Sequence, residues 1–109
     1  MKEDLLKIIK HYGVNHQQRK LNEEVFELQE AILKAEYYIP RKDDSFTKIN
    51  CNLDAYVNHI TEEIADVMVM LGQFVSYYKI DNDSINEIMS QKIERQLKRM
   101  EEESNGLNK

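Results

Sequence analysis

The stretch that decides the fold is LNEEVFELQEAIL, residues 21–33, which returns 39 positions later in a looser form as ITEEIADVMVMLG, residues 60–72. In both copies apolar residues recur at the three- and four-residue spacing of an amphipathic helix. Both copies also carry two acids three positions apart, a spacing that puts them on one side of a helix. The pairs are Glu24 with Glu27 and Glu63 with Asp66.

A helical wheel at about 100° per residue relates these acids to the apolar stripes. The stripes are Leu21, Val25, Leu28, Ile32 and Ala35 in the first copy and Ile60, Ile64, Val67, Leu71 and Phe74 in the second. Glu24 and Glu63 fall on the edges of their stripes, whereas Glu23 and Glu62 point away. The wheel therefore predicts that the second acid of each EE doublet faces inward.

Four carboxylates inside a helical bundle would repel one another and lose hydration. Divalent cations remove both costs, and an all-oxygen ligand set favours Mg²⁺, with Mn²⁺ as a second possibility. A single acid pair on a helix is usually a solvated face, but two pairs in the same phase favour a metal site. His59, one turn before Glu63, is interpreted as the partner of that acid.

The remaining elements complete an all-α, four-helix bundle-like unit with two long antiparallel helices at its centre. Predicted helices cover Lys2 to Tyr12, then a helix capped by Asn15 that runs to about Tyr38, then Leu53 to Lys79, and a last helix to about Glu103. Gly13 is the expected C-cap of the first, and Ser84 with Glu87 matches a capping box for the last. Residues 41–52 are expected to form a loop. The domain is assigned to residues 1–104, and 105–109 to a frayed tail.

Composition limits the function further. The chain has 109 residues, a net charge of −5 and a single cysteine, Cys51. The acidic balance argues against a nucleic-acid partner. No apolar run is long enough for a membrane span, and the charged N-terminus does not resemble a signal peptide. A cytoplasmic protein is expected.

A second apolar stripe on the first acidic helix, formed by Phe26, Leu33 and Tyr37, predicts burial on two sides. The equivalent positions of the other acidic helix are small: Ala65, Gly72 and Ser76. In so short a chain the second burial is expected against another subunit, in a homodimer or homotetramer. The alternative is that the first helix covers it.

Lys92, Arg95 and Arg99 share one side of the last helix. Taken alone they are interpreted as a solvated basic face with i, i+4 partners. Beside metal-binding acids, the same cations would suit a polyphosphate substrate.

These motifs together resemble the MazG-like, all-α nucleoside triphosphate pyrophosphohydrolases. The resemblance rests on GVNHQQRKLNEEVFELQEAI followed by HITEEIADVMVMLGQF, and it covers about residues 10 to 100. The family's E-x-x-E and E-x-x-D motifs fall on Glu24, Glu27, Glu63 and Asp66. Gln17 and Lys20 match polar positions that precede the first motif. Lys92 and Arg95 resemble its K-x-x-R element.

The resemblance implies a Mg²⁺-dependent hydrolase that cleaves a nucleoside triphosphate to the monophosphate and pyrophosphate. It implies that the four acids hold the metal and carry catalysis, that Lys92 and Arg95 steady the pyrophosphate, and that Gln17 and Lys20 contact sugar or phosphate. Thirty-five residues separate Glu27 from Glu63, more than in compact members, so the base preference stays open. Two alternatives remain: a phosphoribosyl-ATP pyrophosphohydrolase-like enzyme, or a non-catalytic helical interaction module.

Overall fold

A computed structural model describes residues 1–38 and 53–106 as four helices. They are α1 (Lys2–Tyr12), α2 (Val14–Tyr38), α3 (Leu53–Tyr77) and α4 (Asn82–Gly106). Across these two ranges there is no strand, which confirms the all-α prediction. The predicted loop over residues 41–52 lies outside the described residues.

Gly13 separates α1 from α2 as predicted. Its backbone has φ 92°, which glycine adopts without strain, and its N–H donates to the carbonyl of Ile9 at 2.8 Å. Its own carbonyl accepts from the N–H of Gln17 at 3.0 Å, so α2 begins at once with Val14. The prediction of Asn15 as the N-cap was wrong, because that residue already lies inside the helix.

The boundary between α3 and α4 also differs from the prediction. α3 ends at Tyr77, and Lys79 in the following turn has φ 56°. Asp81 caps α4: its Oδ1 accepts from the N–H of Asp83 at 3.2 Å and its Oδ2 from Ser84 Oγ at 3.4 Å. The predicted capping box at Ser84 was therefore wrong, since Asp81 precedes it and accepts the N–H of Asp83.

Residue contacts divide the chain into two compact units, Met1–Tyr77 and Tyr78–Lys109. In the first unit α2 and α3 are antiparallel, because the beginning of α2 meets the end of α3. Gln17 hydrogen-bonds Gln73, and further along Glu24 approaches Asp66. The two long helices α2 and α3 of this unit therefore pack against each other in opposite directions.

The helix α1 packs across the small residues of α3. A Cβ at Gly72 would lie 2.8 Å from Leu5 Cδ1, and Ser76 Oγ donates to the carbonyl of Lys2 at 3.4 Å. The first helix thus covers Gly72 and Ser76 of α3, while Ala65 is exposed, and it does not cover the second stripe of α2. The stripe on α2 formed by Phe26, Leu33 and Tyr37 stays exposed in the chain.

The second unit consists of the turn after Tyr77 and α4. None of the residues 82–106 in α4 is buried within the chain. This helix continues through Asn105 and Gly106, two of the residues predicted to fray. Throughout residues 1–38 and 53–106, no helix has the length and apolar character needed to cross a membrane.

Candidate metal centre and adjoining groove

Three of the four predicted acids converge at the middle of the α2–α3 pair. One carboxylate oxygen each from Glu24, Glu63 and Asp66 lies within 4.8 Å of the others. The antiparallel arrangement brings them together, since it sets residue 24 of α2 opposite residues 63 and 66 of α3. Oxygens at such separations are close enough to bind one divalent cation together after a small adjustment.

Glu24 lies near the centre of the buried face of α2 and not at its edge. It is 8% exposed, while the stripe residues Val25 and Ile32 are 38% and 45% exposed. The predicted phase was therefore wrong by about 45° on the wheel. Ala35 of the predicted stripe is buried as expected, and Ala31, which the stripe did not include, is buried with it.

The face of α3 is rotated in the same sense. Ile64 and Leu71 are half exposed, while Met70 is buried and the side chain of Glu63 is 13% exposed. Both helices thus turn their acids toward each other. Glu23 and Glu62 are exposed, which confirms that only the second acid of each doublet faces inward.

Two carboxylate oxygens in the cluster are buried without a hydrogen-bond partner among residues 1–38 and 53–106: Glu24 Oε2 and Glu63 Oε2. The second oxygen of each group is paired. Glu24 Oε1 lies 3.3 Å from Lys20 Nζ, and Glu63 Oε1 lies 3.4 Å from His59 Nε2, as the spacing of His59 predicted. A buried carboxylate oxygen without a partner is costly, and a hard divalent cation would satisfy both.

Glu27 lies beside this group and is exposed. Its pKa is raised, first by the charge of Glu24, then by burial of the carboxyl and by the charge of Glu63. Glu27, the fourth predicted acid, therefore interacts electrostatically with the cluster but is not one of the three acids whose oxygens lie within 4.8 Å of one another. The pKa of Lys20 is also raised, chiefly by its hydrogen bond to Glu24.

A groove of about 540 Å³ adjoins the cluster where α1 passes into α2. The rings of Tyr12 and His16 stack at one end of the lining, with centroids 5.2 Å apart and planes inclined by 18°. Arg19, Lys20 and Glu23 follow along α2. Lys20 both lines the groove and pairs with Glu24, so this residue links the groove to the acids.

Polar side chains joined by hydrogen bonds lie beneath the groove. Gln17, predicted to contact substrate, is buried: its Nε2 donates to Gln73 Oε1 at 2.8 Å and its Oε1 lies 2.7 Å from His16 Nδ1. Gln73 Nε2 donates in turn to Met70 Sδ at 3.5 Å. Gln73 and the Tyr12–His16 pair were not predicted to belong to the site. A glutamine among the apolar residues near the end of α3 is the signal in the sequence that could have identified Gln73.

The predicted phosphate-binding cations Lys92 and Arg95 lie in the second unit. Together with Gln96 and Arg99 they line a recess of about 220 Å³ on α4. The three cations thus form a group of their own, and a role for them at the acids stays a prediction.

Comparison with protein-family models, with curated proteins and with solved structures finds no match for this chain.

Proposed function

We propose that the protein is a Mg²⁺-dependent nucleoside triphosphate pyrophosphohydrolase of the all-α, MazG-like type. The observation that carries the proposal is a pair of carboxylate oxygens, Glu24 Oε2 and Glu63 Oε2, which are buried near Asp66 with no hydrogen-bond partner among the described residues. Each of these two acids has a cationic or imidazole partner at its other oxygen only. The unsatisfied buried oxygens suit a cation.

The chemistry of the donor set agrees with this metal. Carboxylate oxygens are the ligands of hard ions such as Mg²⁺ and Mn²⁺. When bound, Mg²⁺ would neutralise phosphate charge and make a water molecule more acidic. Glu24, Glu63 and Asp66 would hold it, with Glu27 at the rim, where its raised pKa suits a group that exchanges protons with the solvent.

The surroundings of the acids favour a phosphorylated ligand of nucleotide size. Lys20 offers a half-exposed ammonium beside Glu24, and the groove of about 540 Å³ lies within the range of small-molecule sites. Lys92 and Arg95 are proposed to bind the leaving pyrophosphate. The enzyme is proposed to act as a cytoplasmic homodimer or homotetramer, with subunits joined through the Phe26, Leu33 and Tyr37 stripe.

The proposal is tested by measuring pyrophosphate release from a panel of NTPs and dNTPs, and from phosphoribosyl-ATP, with and without Mg²⁺. Wild type should release pyrophosphate only with the metal. Glu24→Gln and Glu63→Gln should abolish release, while the matched outer variants Glu23→Gln and Glu62→Gln should keep most of it. Equal loss in both sets would contradict the assignment of the inward acids.

The substrate panel also separates the alternatives. Release from phosphoribosyl-ATP alone would identify the related enzyme class. If the folded protein releases pyrophosphate from no substrate, the proposal fails and the result favours a non-catalytic helical interaction module.

A further inference from the structure

The groove beside the acids carries more recognition chemistry than a phosphate chain requires. Phosphates need cations or metal ions, whereas one part of this groove is aromatic. Tyr12 and His16 form a stacked pair there, and Tyr12 is more than half exposed. Flat, exposed aromatic surface is what heterocyclic bases bind.

The position of the aromatic pair along α2 suits a nucleotide. On the wheel His16, Lys20, Glu23 and Glu27 fall within an arc of about 60°, so they follow one another along a single side of the helix. His16 precedes Glu24 by eight residues, a rise of about 12 Å. A base at His16 would therefore direct its sugar and phosphates past Lys20 to the carboxylates.

A chain of hydrogen bonds below the groove fixes the orientation of His16. Met70 Sδ can accept a hydrogen bond but has no hydrogen to donate, so Gln73 turns its amide nitrogen toward the sulfur. The oxygen of Gln73 then faces Gln17 and accepts from its Nε2. Since the amide nitrogen of Gln17 faces Gln73, its amide oxygen faces the imidazole of His16.

The last link determines which nitrogen of His16 carries the proton. Because the Gln17 oxygen is only an acceptor, His16 Nδ1 must be the donor across their 2.7 Å contact. In the neutral imidazole the other nitrogen, Nε2, is then an acceptor. A ligand that approaches Nε2 must offer a donor, as the N–H groups of nucleobases do.

We infer that this groove is the base-binding site of the nucleotide, with the base stacked on the Tyr12–His16 pair and donating a hydrogen bond to His16 Nε2. The inference rests on the proposed function, because it names how that substrate is held. Gln17 and Gln73 are positioning residues that act through His16. The acids bind the phosphate end of the same molecule.

The test compares a ligand that has a base with one that has none. Calorimetry with Mg²⁺ measures the Kd of α,β-methylene nucleoside triphosphates with the four common bases and of inorganic tripolyphosphate. Since stacking contributes about 1–3 kcal/mol per base, Tyr12→Leu and His16→Ala should weaken nucleotide binding about tenfold or more. Their Kd for tripolyphosphate should stay within about twofold of wild type.

The hydrogen bonds that link Gln73 and Gln17 to His16 are tested by a separate measurement, the tautomer of the His16 imidazole. In ¹⁵N-histidine spectra of the full chain, neutral His16 should carry its proton on Nδ1, and Gln73→Met should mix the two tautomers. The exposed neighbour Gln18 supplies a matched control, because Gln18→Met should leave the His16 signals unchanged. A proton on Nε2 of wild-type His16 would overturn the assignment of the acceptor, whether or not Gln73→Met folds.

The binding outcomes separate this inference from the proposed function. Nucleotides that bind no better than tripolyphosphate, or variants that weaken both ligands alike, would overturn the base site and leave the metal site standing. Binding of neither ligand to wild type would overturn the proposed function, and the base site with it.

Discussion

Lys20 Nζ lies 3.3 Å from Oε1 of Glu24, and Oε2 of the same carboxylate is buried with no hydrogen-bond partner in the part of the chain that the structure describes. The group is thus half satisfied by the protein. Lys20 is 46% exposed and stays hydrated when it loses its partner, whereas the Glu24 side chain is 10% exposed and depends on what reaches it from within the site. Because the Glu24 carboxylate is buried and has one unsatisfied oxygen, we expect a bound cation to stabilise the folded protein.

Mg²⁺ should raise the melting temperature of the wild-type protein near neutral pH. A cation that binds only the assembled site stabilises by about 2.7 kcal/mol at 100 times Kd, which corresponds to about 10–20 °C for a small domain. The Glu24→Gln, Glu63→Gln double variant should melt higher than wild type in EDTA, because two buried charges are gone, yet gain little from Mg²⁺. The measurement is a thermal scan with and without the metal; an equal gain in both proteins would show that these acids are not the metal site.

Glu27 should make the metal-free protein less stable as pH rises. Its pKa is raised from an ordinary value of 4.5, first by the Glu24 charge, so the folded state binds this proton more tightly than the unfolded state. The stability it contributes is complete below about 4.5 and is lost as pH rises through the folded pKa. In EDTA, Glu27→Gln should therefore melt higher than wild type at pH 7 and equally at pH 3.5.

The control for this titration is Glu30→Gln, which removes an exposed acid from the next turn of α2. Any effect that the two variants share comes from the loss of one negative charge on α2 and not from the coupling of Glu27 to Glu24. A pH-independent effect of Glu27→Gln would contradict the electrostatic coupling between Glu27 and Glu24.

The contact between Gly72 and Leu5 should limit the size of the side chain at position 72. A Cβ there would meet Leu5 Cδ1 at 2.8 Å. A single methyl group needs only the mobile end of Leu5 to shift, and the helix gains about 1 kcal/mol over glycine, so Gly72→Ala should change the stability little. Gly72→Val adds branches that push α1 away and should cost about 1–3 kcal/mol in urea unfolding.

A double-mutant cycle tests the partner in this contact. Leu5→Ala should recover part of the loss caused by Gly72→Val, because it removes the atoms that clash. Gly106 supplies the control, because a Cβ there would have no atom of the described residues within 4 Å: Gly106→Val should have almost no effect. Strictly additive effects of the Leu5 and Gly72 changes would show that α1 does not pack there.

The exposed stripe on α2 should join subunits. Leu33 is 63% exposed in the chain, between Phe26 and Tyr37 on the same side of the helix. Because the residue is outside the core of the chain, Leu33→Glu should leave the helical content intact while it places a charge in the apolar interface. Light scattering at micromolar concentration should give at least two chains for wild type and for Leu33→Met, and one chain for Leu33→Glu. A wild-type monomer at every concentration would contradict the prediction.

The sequence by itself determined the helices and the inward acids. The bounds of α1 were predicted to the residue, and the second acid of each doublet faces inward, because helix period and glycine caps act over one or two turns. The errors at Asn15 and Ser84 are local too: several nearby side chains can cap a helix, and geometry selects one.

Only the tertiary structure decided how the site is assembled. The rotation that buries Glu24 together with Ala31 depends on how α3 packs against α2, which no residue of α2 encodes alone. The Gln17–Gln73 hydrogen bond joins residues 56 positions apart, and it exists because the two helices run antiparallel. Periodicity fixes which side of a helix is apolar, but the partner's shape fixes which residues on that side are buried, and so which acids meet.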